Sequence, residues 1–438
     1  MKKILYGFIT VILAVAALFS FTACGGVSLK SVDTLAAAKR PKALSKQSFL
    51  DDRKTNGVSA ETAKAIQEFS FSSMRHLTTD GTEKGNENAV FSPISLWTVL
   101  AMAAAGASGE TLTELETALG AGADGIIADY PALYRQLNAK KPQIASQNSV
   151  WFSKGREKNE TVLDKLSGGF LADVYGADFS DPQTSKDVRK WIKHNTKDML
   201  DPELQFDADI VLLLINALAF DSEWKDPFKA ESNVREEFTL RDGEKPIKDY
   251  MRTSKTGGYH WEDDKFVSAS LPFSENFGSM YFILPDEGVT CEDIISDPEL
   301  FASAFTLNNH GTVNYKVPKF EFNSKWDLIE AAQNMGVLNA FDKFSSELNF
   351  TGDSENQYID ELVQYAYIKA DEKGVKAAAV TIGGMKPASA PEPGEPINLF
   401  LTRPFIAAVT VPVYITGGTA VNVPIFIAVI NTPYGSSQ

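Results

Sequence analysis

The chain has 438 residues, of which 44% are hydrophobic and 23% charged, and it carries a net charge of −15 at pH 7. This length and composition indicate a soluble globular protein with one large domain or two ordinary ones. The acidic balance argues against nucleic-acid binding, which recruits basic patches, and against electrostatic attachment to anionic lipid. The two cysteines, Cys24 and Cys291, supply no disulfide framework.

Residues 1–23 have the organisation of a targeting segment. Lys2 and Lys3 give a positive start, an apolar run follows, and small residues precede Cys24. This pattern resembles the bacterial lipoprotein signal, although Phe21 stands where leucine is usual. It predicts cleavage before Cys24, lipid on that cysteine, and a mature protein held on the outer side of a bacterial membrane. The alternative is an uncleaved anchor helix, because the apolar run is about long enough to span a bilayer.

The remainder divides into a predicted tether and a predicted single domain. Residues 24–57 are mixed in composition, with scattered serines and a short alanine run, which is typical of a tether. Residues 58–438 show no internal repeat and no second linker of comparable length, so we expect one domain. In its first part, Ser92-Pro93 has the form of an N-cap followed by the first helical residue. A capping-box pattern at Thr111 predicts the start of the next helix.

Strand signals dominate the later part of the chain. Residues 210–220 form a nearly continuous apolar run, which is typical of a strand buried on both faces. Near the end, apolar runs at 405–415 and 420–431 flank Gly417-Gly418, which is a hairpin signal. Helices followed by strands with interspersed helices predict an α+β domain with large sheets.

The segment 372–389 has no large apolar side chain before Ile382 and no proline before Pro387. In a strand, one uncharged face of it would hold Val375, Ala377, Ala379, Thr381, Gly383 and Met385. Lys376 and Lys386 would lie on the other face. Such a segment can be an exposed loop and can also enter a sheet as a strand. A small-residue surface linker is the alternative interpretation.

Several blocks, taken together in their order and spacing, resemble the serpin family over nearly the whole chain after the tether. These blocks are 88–95, 106–111, 216–220, 317–320, 335–341, 403–405 and 424–426. The resemblance implies an α+β fold of about three β-sheets surrounded by helices, with an exposed reactive-centre loop near the C-terminus. It also implies an irreversible suicide-substrate inhibitor of extracellular serine proteases, with cysteine proteases as an additional candidate class of target. Neither a cofactor nor a metal is implied.

The resemblance also assigns roles to individual residues. Counting along the family's usual hinge length puts the reactive-site bond at Ala388-Ser389, with Met385, Lys386 and Ser389 as neighbouring candidates for the residue before the bond. The implied hinge residues are Glu372, Gly374, Val375, Ala377, Ala378, Ala379 and Thr381. The implied sheet-opening residues are Ser92, Ser95, Asn216, Trp224 and Gln364. Gln364 stands where many members carry histidine, and we expect it to replace the missing hydrogen bonds.

The implied partner is a target serine protease, and the protein is expected to be a monomer. Ala388 before the bond favours an elastase-like or subtilisin-like enzyme with a small or apolar pocket. Lys386 would instead favour a trypsin-like enzyme, although Pro387 after it discourages cleavage there. No nucleic acid is expected, and the membrane is reached only through the lipid on Cys24.

Two other classes of function compete with inhibition. An enzyme is disfavoured, because the histidines have no catalytic or metal-ligand spacing and there is neither a Gly-x-Ser-x-Gly elbow nor a phosphate-cradling glycine loop. These histidines are His76, His194, His260 and His310. The stronger alternative is a non-inhibitory binding or carrier module of the same fold at the cell surface. The small uncharged residues on the predicted inward face favour inhibition, because non-inhibitors tend to carry bulky, charged or proline residues there.

Overall fold

The structure is a computed structural model that describes residues 27–41, 51–52, 55–77, 87–138, 143–274, 277–352, 357–376 and 394–433. Helices are concentrated between residues 60 and 136, and large sheets with interspersed helices follow. The predicted α+β class is confirmed.

The early helices pack against one another, and one of them is fully buried. They are α1 (Ala60–Ser72), α2 (Pro93–Ala104), α3 (Gly109–Leu119) and α4 (Ala123–Gln136). Helix α2 begins at Pro93 as predicted, and every one of its residues is buried. Helix α3 begins at Gly109 with Ser108 at the N-cap, two residues before the predicted start at Thr111. The Thr111 hydroxyl instead accepts a hydrogen bond from the backbone N–H of Glu347, at 3.0 Å.

One sheet, called here the central sheet, carries the features on which the functional argument depends. Its described strands are β1 (Asp33–Ala36), β3 (Gln143–Ser153), β4 (Ala172–Ala177), β5 (Leu212–Glu223), β11 (Phe320–Asp327), β12 (Val363–Ala370) and β13 (Gly374–Lys376). They lie in the order β1-β4-β3-β5-β13-β12-β11. All neighbours are antiparallel except β3 and β4. Strand β13 is short and lies between β5 and β12.

The second sheet contains the other strands. They are β2 (Ala89–Phe91), β6 (Val234–Glu237), β7 (Ile247–Glu262), β8 (Phe266–Pro272), β9 (Ser279–Pro285), β10 (Asn309–Pro318), β14 (Gly394–Phe400), β15 (Phe405–Tyr414) and β16 (Ala420–Ile430). The described strands thus form two sheets where the resemblance implied about three. The reason is β7, which pairs with β6 and β10 along its first part and with β8 at its end, and so joins the two halves. The predicted hairpin at Gly417-Gly418 is confirmed between β15 and β16.

The remaining helices are short, apart from one that lies on the central sheet. They are α5 (Glu160–Asp164), α6 (Pro182–Asn195), α7 (Cys291–Ile295), α8 (Pro298–Ser303) and α9 (Ile329–Asn334). Helix α6 contacts β3 and β5. Its apolar face, with Val188 and Trp191, packs on Trp151 of β3 and Tyr175 of β4. No helix in the described part of the chain is both long and apolar enough to cross a membrane.

Residues 27–41, called here the arm, lie against the domain, which differs from the tether predicted for this part of the chain. Strand β1 of the arm is the edge strand of the central sheet and pairs with β4. The preceding residues Val27, Leu29 and Val32 alternate with polar ones, and they pack on the apolar cluster formed with helix α6. Because the arm has an apolar face to bury, it folds onto the sheet edge.

Candidate functional site

The predicted hinge begins in a tight turn after β12. The Asp371 carboxylate accepts hydrogen bonds from the backbone N–H groups of Lys373, at 2.9 Å, and Gly374, at 3.3 Å. The Asp371 N–H donates to the Gly374 carbonyl at 3.0 Å and closes the turn. The chain therefore reverses directly from β12 into β13. This reversal places β13 antiparallel to β12 within the same sheet.

Strand β13 fills the upper end of the space between β5 and β12. Val375 pairs with Ser222 of β5 and with Ala370 of β12, and its side chain is fully buried. Lys376 is exposed, and its Nζ lies 3.9 Å from Oδ2 of Asp221. These two residues thus occupy the opposite faces that the strand alternation predicted. Their role as hinge residues remains a prediction.

Gly374 lies where no side chain fits. A Cβ atom built on it would lie 2.1 Å from the backbone oxygen of Ser222, far inside van der Waals contact. Glycine is therefore required for β13 to approach β5 this closely.

Glu372 fastens the turn to the second sheet. Its Oε1 lies 2.9 Å from the Lys319 ammonium and accepts a hydrogen bond from Nδ2 of Asn233 at 2.6 Å. Burial works to raise the pKa of Glu372, but these partners outweigh it and hold the pKa below the ordinary value of 4.5. The Glu372 carbonyl also accepts the Phe228 N–H at 2.9 Å. The turn is thus held by both its side chain and its backbone.

Below β13 the central sheet is open. A cavity of about 400 Å³, called here the slot, separates β5 from β12 and is lined by both polar and apolar side chains. Residues 212–216 of β5 are only half-buried, whereas Ala217, Leu218, Ala219 and Phe220 above them are buried. The sequence predicted burial along this whole run. The lower half remains partly exposed because, in the described chain, no strand pairs with it on the β12 side.

Three of the predicted sheet-opening residues meet beside the slot. The Ser92 backbone N–H donates to Oε1 of Gln364 at 2.7 Å, and Nε2 of Gln364 donates to the Ser92 carbonyl at 3.0 Å. The Ser92 hydroxyl donates to the Ser95 hydroxyl at 3.0 Å. Gln364 therefore connects β12 to the start of α2 through two hydrogen bonds, one to the backbone N–H and one to the carbonyl of Ser92. It does so without contacting Asn216.

Asn216 lines the same slot but is bonded on the other side. Its Nδ2 donates to Oδ1 of Asn148 at 2.8 Å and to the Ser146 hydroxyl at 3.2 Å. Asn148 in turn donates to the Tyr130 hydroxyl at 2.8 Å. The Oδ1 atom of Asn216 is buried and has no hydrogen-bond partner among the described residues. The slot therefore contains a free acceptor on its β5 wall.

Trp224 does not belong to that polar group. It follows β5 at the upper end of the sheet, and its Nε1 donates to the Asp371 carbonyl at 2.9 Å. Its ring stacks on Phe273, with centroids 5.4 Å apart. The eight residue-to-residue steps from Asn216 to Trp224 span about 26 Å in an extended strand. The five predicted residues are thus divided between the slot and the hinge turn.

Other predicted positions lie outside the described residues. These are Cys24, Ala377, Ala378, Ala379, Thr381, Met385, Lys386, Ala388 and Ser389. Conversely, the sequence analysis missed Asp371, Asn148 and Tyr130. Asp371, three residues before Gly374, follows a common turn pattern and could have been found. Asn148 and Tyr130 meet only through the tertiary fold, and no local signal joins them.

Comparison with known proteins gives one family. The family described as "Serpin (serine protease inhibitor)" matches residues 64–413. Serpin-ZXA of Oryza sativa subsp. japonica is 27% identical over 69% of this chain and 82% of its own length. Alpha-1-antiproteinase S of Cavia porcellus is 26% identical over 81% of this chain and 88% of its own length.

Solved structures agree with this match. The thermophilic serpin tengpin, in its native state, has a TM-score of 0.73 and 25% identity, over 92% of this chain and 100% of its own. The complex of thyroxine-binding globulin with thyroxine has the same fold, with a TM-score of 0.70 and 18% identity over 85% of this chain and 99% of its own. The family match covers most of the chain, and the overall fold is similar to that of these neighbours. The chain belongs to the serpin family.

Proposed function

We propose that the protein is an irreversible suicide-substrate inhibitor of serine proteases, and of cysteine proteases as well. The observation that carries the proposal is the position of β13. Three of its residues pair with β5, two of these, Val375 and Lys376, also pair with β12, and the slot continues directly below them. A longer strand can therefore grow downward from β13 without changing its register.

The register of β13 specifies where each further residue would go. Because pairing in an antiparallel ladder advances one residue at a time, Ala377 would lie between Phe220 and Ile368. Every second residue after Val375 would then face the buried side of the sheet. The inward residues would be Ala377, Ala379, Thr381, Gly383 and Met385, as the strand alternation predicts. All of them are uncharged, so none brings a charge into the core.

The same register gives Thr381 a specific pair of neighbours. It would lie between Asn216 of β5 and Gln364 of β12, the polar side chains on the two walls of the slot. The free Oδ1 acceptor of Asn216 would then be within reach of the Thr381 hydroxyl. Insertion would therefore satisfy a buried group that has no described partner before it.

The chemistry follows from one cleavage. The nucleophile of the protease attacks the Ala388 carbonyl, forms an acyl-enzyme and releases the amino group of Ser389. The freed strand enters the slot and pairs with the open edges of β5 and β12. The attached protease is carried along, and distortion of its active site slows hydrolysis of the ester. The free energy for this comes from filling the slot, so the native state is held short of its most stable form.

Target and location are further parts of the proposal. Ala388 favours an elastase-like or subtilisin-like protease, and the relatives that carry names of protease inhibitors support a protease as the partner. Lipid on Cys24 would hold a monomeric inhibitor on the outer side of a bacterial membrane, where it meets extracellular proteases. Finding the protein wholly in the cytoplasm would refute this location.

The decisive experiment looks for a covalent complex. The mature chain with Cys24→Ser, which removes the lipidation site, is incubated with elastase, subtilisin and trypsin and examined on denaturing gels. We expect a denaturant-resistant adduct with elastase or subtilisin, and mass spectrometry of the released C-terminal peptide will identify the cleaved bond. Clean cleavage with every protease still active would contradict inhibition of these enzymes.

A matched pair of variants tests whether insertion causes the trapping. Ala379→Arg would place a charge on the inward face, whereas Ala378→Arg places the same side chain on the outward face one residue away. We expect Ala379→Arg to be cleaved without forming an adduct and Ala378→Arg to form it at a level close to the parent. Equal trapping by both variants would contradict the proposed register.

The alternative is a non-inhibitory binding or carrier module at the cell surface. A serpin-fold neighbour crystallised with thyroxine shows that the fold is compatible with a carrier, although its 18% identity limits the likeness to the fold. Absence of any adduct, together with an unchanged melting temperature after loop cleavage, would favour this alternative.

A further inference from the structure

Basic side chains are concentrated along helix α6 of this acidic protein. The chain as a whole has a net charge of −15, yet α6 contains four lysine or arginine residues and one acid. The basic residues are Lys186, Arg189, Lys190 and Lys193, and the acid is Asp187. Lys186 and Lys190 are four residues apart, so they lie on the same side of the helix, and both are exposed. The outer side of α6 therefore differs in charge from the rest of the protein.

The one acid of this helix is turned away from the solvent. Asp187 is 1% exposed, and its Oδ2 accepts hydrogen bonds from the backbone N–H groups of Lys30, at 2.7 Å, and Ser31, at 2.8 Å. Lys30 itself is exposed. The contact between the arm and α6 therefore covers the carboxylate and adds a further exposed cation beside the helix.

The protein neutralises only part of this positive charge. Asp201 is shared by two of the cations, since it pairs with Arg189 at 2.5 Å and with Lys193 at 2.6 Å. The other three cations have no acidic partner in the described part of the chain, and they are called here the lysine face: Lys30, Lys186 and Lys190. Their charge is available to a partner outside the protein.

The lysine face lies close to the start of the mature chain. Nζ of Lys190 donates to the Ser28 carbonyl at 2.6 Å, and Val27 before it packs on the apolar cluster formed with α6. Cys24 is three residues before Val27, and three residues of chain reach about 11 Å at most. Lipid on Cys24 would therefore enter a membrane near the lysine face.

Anionic lipid headgroups are the partner that fits this position. A membrane surface that contains them has a negative potential and attracts lysine and arginine side chains that lie next to it. The attraction falls off within a Debye length, about 8 Å at physiological salt. Because of this short range, acids on the other faces of the protein contribute little. The net charge of −15, which argued against such attachment, is therefore not decisive once a lipid holds one face near the membrane.

From this arrangement we propose that the lysine face binds anionic lipid headgroups and orients the anchored protein with α6 toward the membrane. The lipid on Cys24 supplies the attachment, and the lysine face determines which side of the protein rests on the surface. This proposal rests on the lipid anchoring proposed above. It concerns lysines that no step of the proposed inhibition uses.

The test attaches the mature chain to vesicles and measures which lysines remain reactive. Cys24 is coupled to a maleimide lipid, and the coupling is confined to this thiol because Cys291 is 1% exposed. The vesicles contain phosphatidylcholine alone or equal parts of phosphatidylcholine and phosphatidylglycerol. Acetylation of each lysine is followed by mass spectrometry. On the anionic vesicles we expect Lys30 and Lys186 to react about fivefold more slowly than on the neutral ones.

Lys245 is the internal control for this measurement. It is exposed in the turn before β7, away from α6, so its reactivity should be the same on both kinds of vesicle. Salt at about 0.5 M should abolish the protection of Lys186, since it shortens the Debye length to roughly 4 Å.

Two triple variants with the same loss of charge test the lysine face directly. The first neutralises it, with Lys30→Gln, Lys186→Gln and Lys190→Gln. The control neutralises three exposed lysines elsewhere, with Lys64→Gln, Lys229→Gln and Lys265→Gln. The reporter in both is Lys193, which remains on α6. We expect the first variant to lose the protection of Lys193 on anionic vesicles and the control to keep it.

Several results would overturn the proposal. They are equal reactivity of Lys186 on the two kinds of vesicle, and equal loss of Lys193 protection in the two triple variants. Protection by soluble dextran sulfate with none by anionic vesicles would assign the lysine face to a polysaccharide. Absence of acyl groups from Cys24 of protein purified from its own cells would contradict the anchoring, and with it this orientation.

Protease trapping is measured separately, on the uncoupled chain. Protection of the lysine face in a chain that traps no protease would support the membrane contact and contradict inhibition. Trapping without any protection on vesicles would do the reverse.

Discussion

The space between β5 and β12 has two halves that differ in what fills them. Strand β13 occupies the upper half, and the slot is the lower half. In the upper half, β13 pairs on both sides, Val375 is fully buried, and the glycine before it allows close approach of the backbones. In the lower half, β5 is half-buried, a cavity of about 400 Å³ lies beside it, and Oδ1 of Asn216 has no hydrogen-bond partner among the described residues. Along the same pair of strands, the sheet therefore has a middle strand in its upper half and lacks one in its lower half.

In the proposed insertion mechanism, this difference locates the free energy that would drive the conformational change. The upper half sets the register and direction of a new strand, so the strand needs no further nucleation. In the lower half, backbone groups lack strand partners and apolar side chains remain partly exposed. A strand that grows from the first half into the second gains the interactions that the second lacks.

The largest effect is expected from filling the lower half. Cleavage within residues 377–393 should release a strand that forms about ten ladder hydrogen bonds, at about 1 kcal/mol each. We expect the melting temperature to rise by roughly 10 °C, since the bonds together supply about 10 kcal/mol and each kcal/mol shifts it by about 1 °C in a domain of this size. Calorimetry of the intact and cleaved chains measures the shift. An unchanged melting temperature would mean that the two halves do not become one continuous strand.

A smaller effect is expected from the bond between β12 and α2. Gln364→Met keeps the length of the side chain but leaves the backbone N–H of Ser92 without its partner. It also removes one of two hydrogen bonds to the Ser92 carbonyl, which still accepts the Leu96 N–H at 3.4 Å. Because both Ser92 groups are buried, the free energy of unfolding should fall by about 2 kcal/mol. Urea unfolding of the uncleaved chain measures this value.

Gln205→Met provides the control for Gln364→Met. Gln205 lines the same slot but is exposed, so the same chemical change there should have little effect. Equal destabilisation by the two variants would mean that the Ser92 hydrogen bonds contribute nothing specific.

The upper half can be disturbed by one methyl group. Gly374→Ala would place a Cβ atom 2.1 Å from the Ser222 oxygen, so either β13 or β5 must shift. Overpacking of this kind costs about 2 kcal/mol, and we expect β13 to leave the sheet. Hydrogen exchange of the Val375 and Lys376 amides should then accelerate. Gly257→Ala on β7, where a Cβ atom has open space, should leave their exchange unchanged.

The upper half, where β13 pairs with its neighbours, was more predictable from sequence than the lower half. The opposite faces of Val375 and Lys376 follow from strand alternation, and the start of α2 follows from Ser92-Pro93. These are local rules, and the structure follows them. The family resemblance added the sheet into which the segment fits.

The features that were missed depend on contacts between distant parts of the chain. Residues 212–216 were predicted to be fully buried, because an apolar run does not reveal whether a neighbouring strand is present. Asn148 of β3 and Tyr130 of α4 are 18 residues apart and meet only in the folded domain. The arm was predicted to be a tether, because its apolar residues are few. Their packing against the cluster formed with α6 is visible only in the folded protein. Local patterns cannot supply such partners.

The smallest effect concerns the charge of Glu372 above β13. Its pKa in the folded state lies below 4.5, since the Lys319 ammonium and Asn233 favour the charged form. A depressed folded-state pKa stabilises the protein above the unfolded value, and this stabilisation is lost as the pH falls through the folded value. Glu372→Gln should therefore lower the free energy of unfolding by on the order of 1 kcal/mol at pH 7.

The pH dependence separates this charge effect from a packing effect. Urea midpoints of Glu372→Gln and the parent should differ by a constant amount from pH 7 to about 5.5, and should converge below pH 4.5. Glu231→Gln, on an exposed carboxylate, controls for the loss of one negative charge. A difference that persists unchanged to pH 3 would assign the stabilisation to the shape of the Glu372 side chain. Strand β13 and the turn before it would then be held by packing, with no contribution from this ion pair.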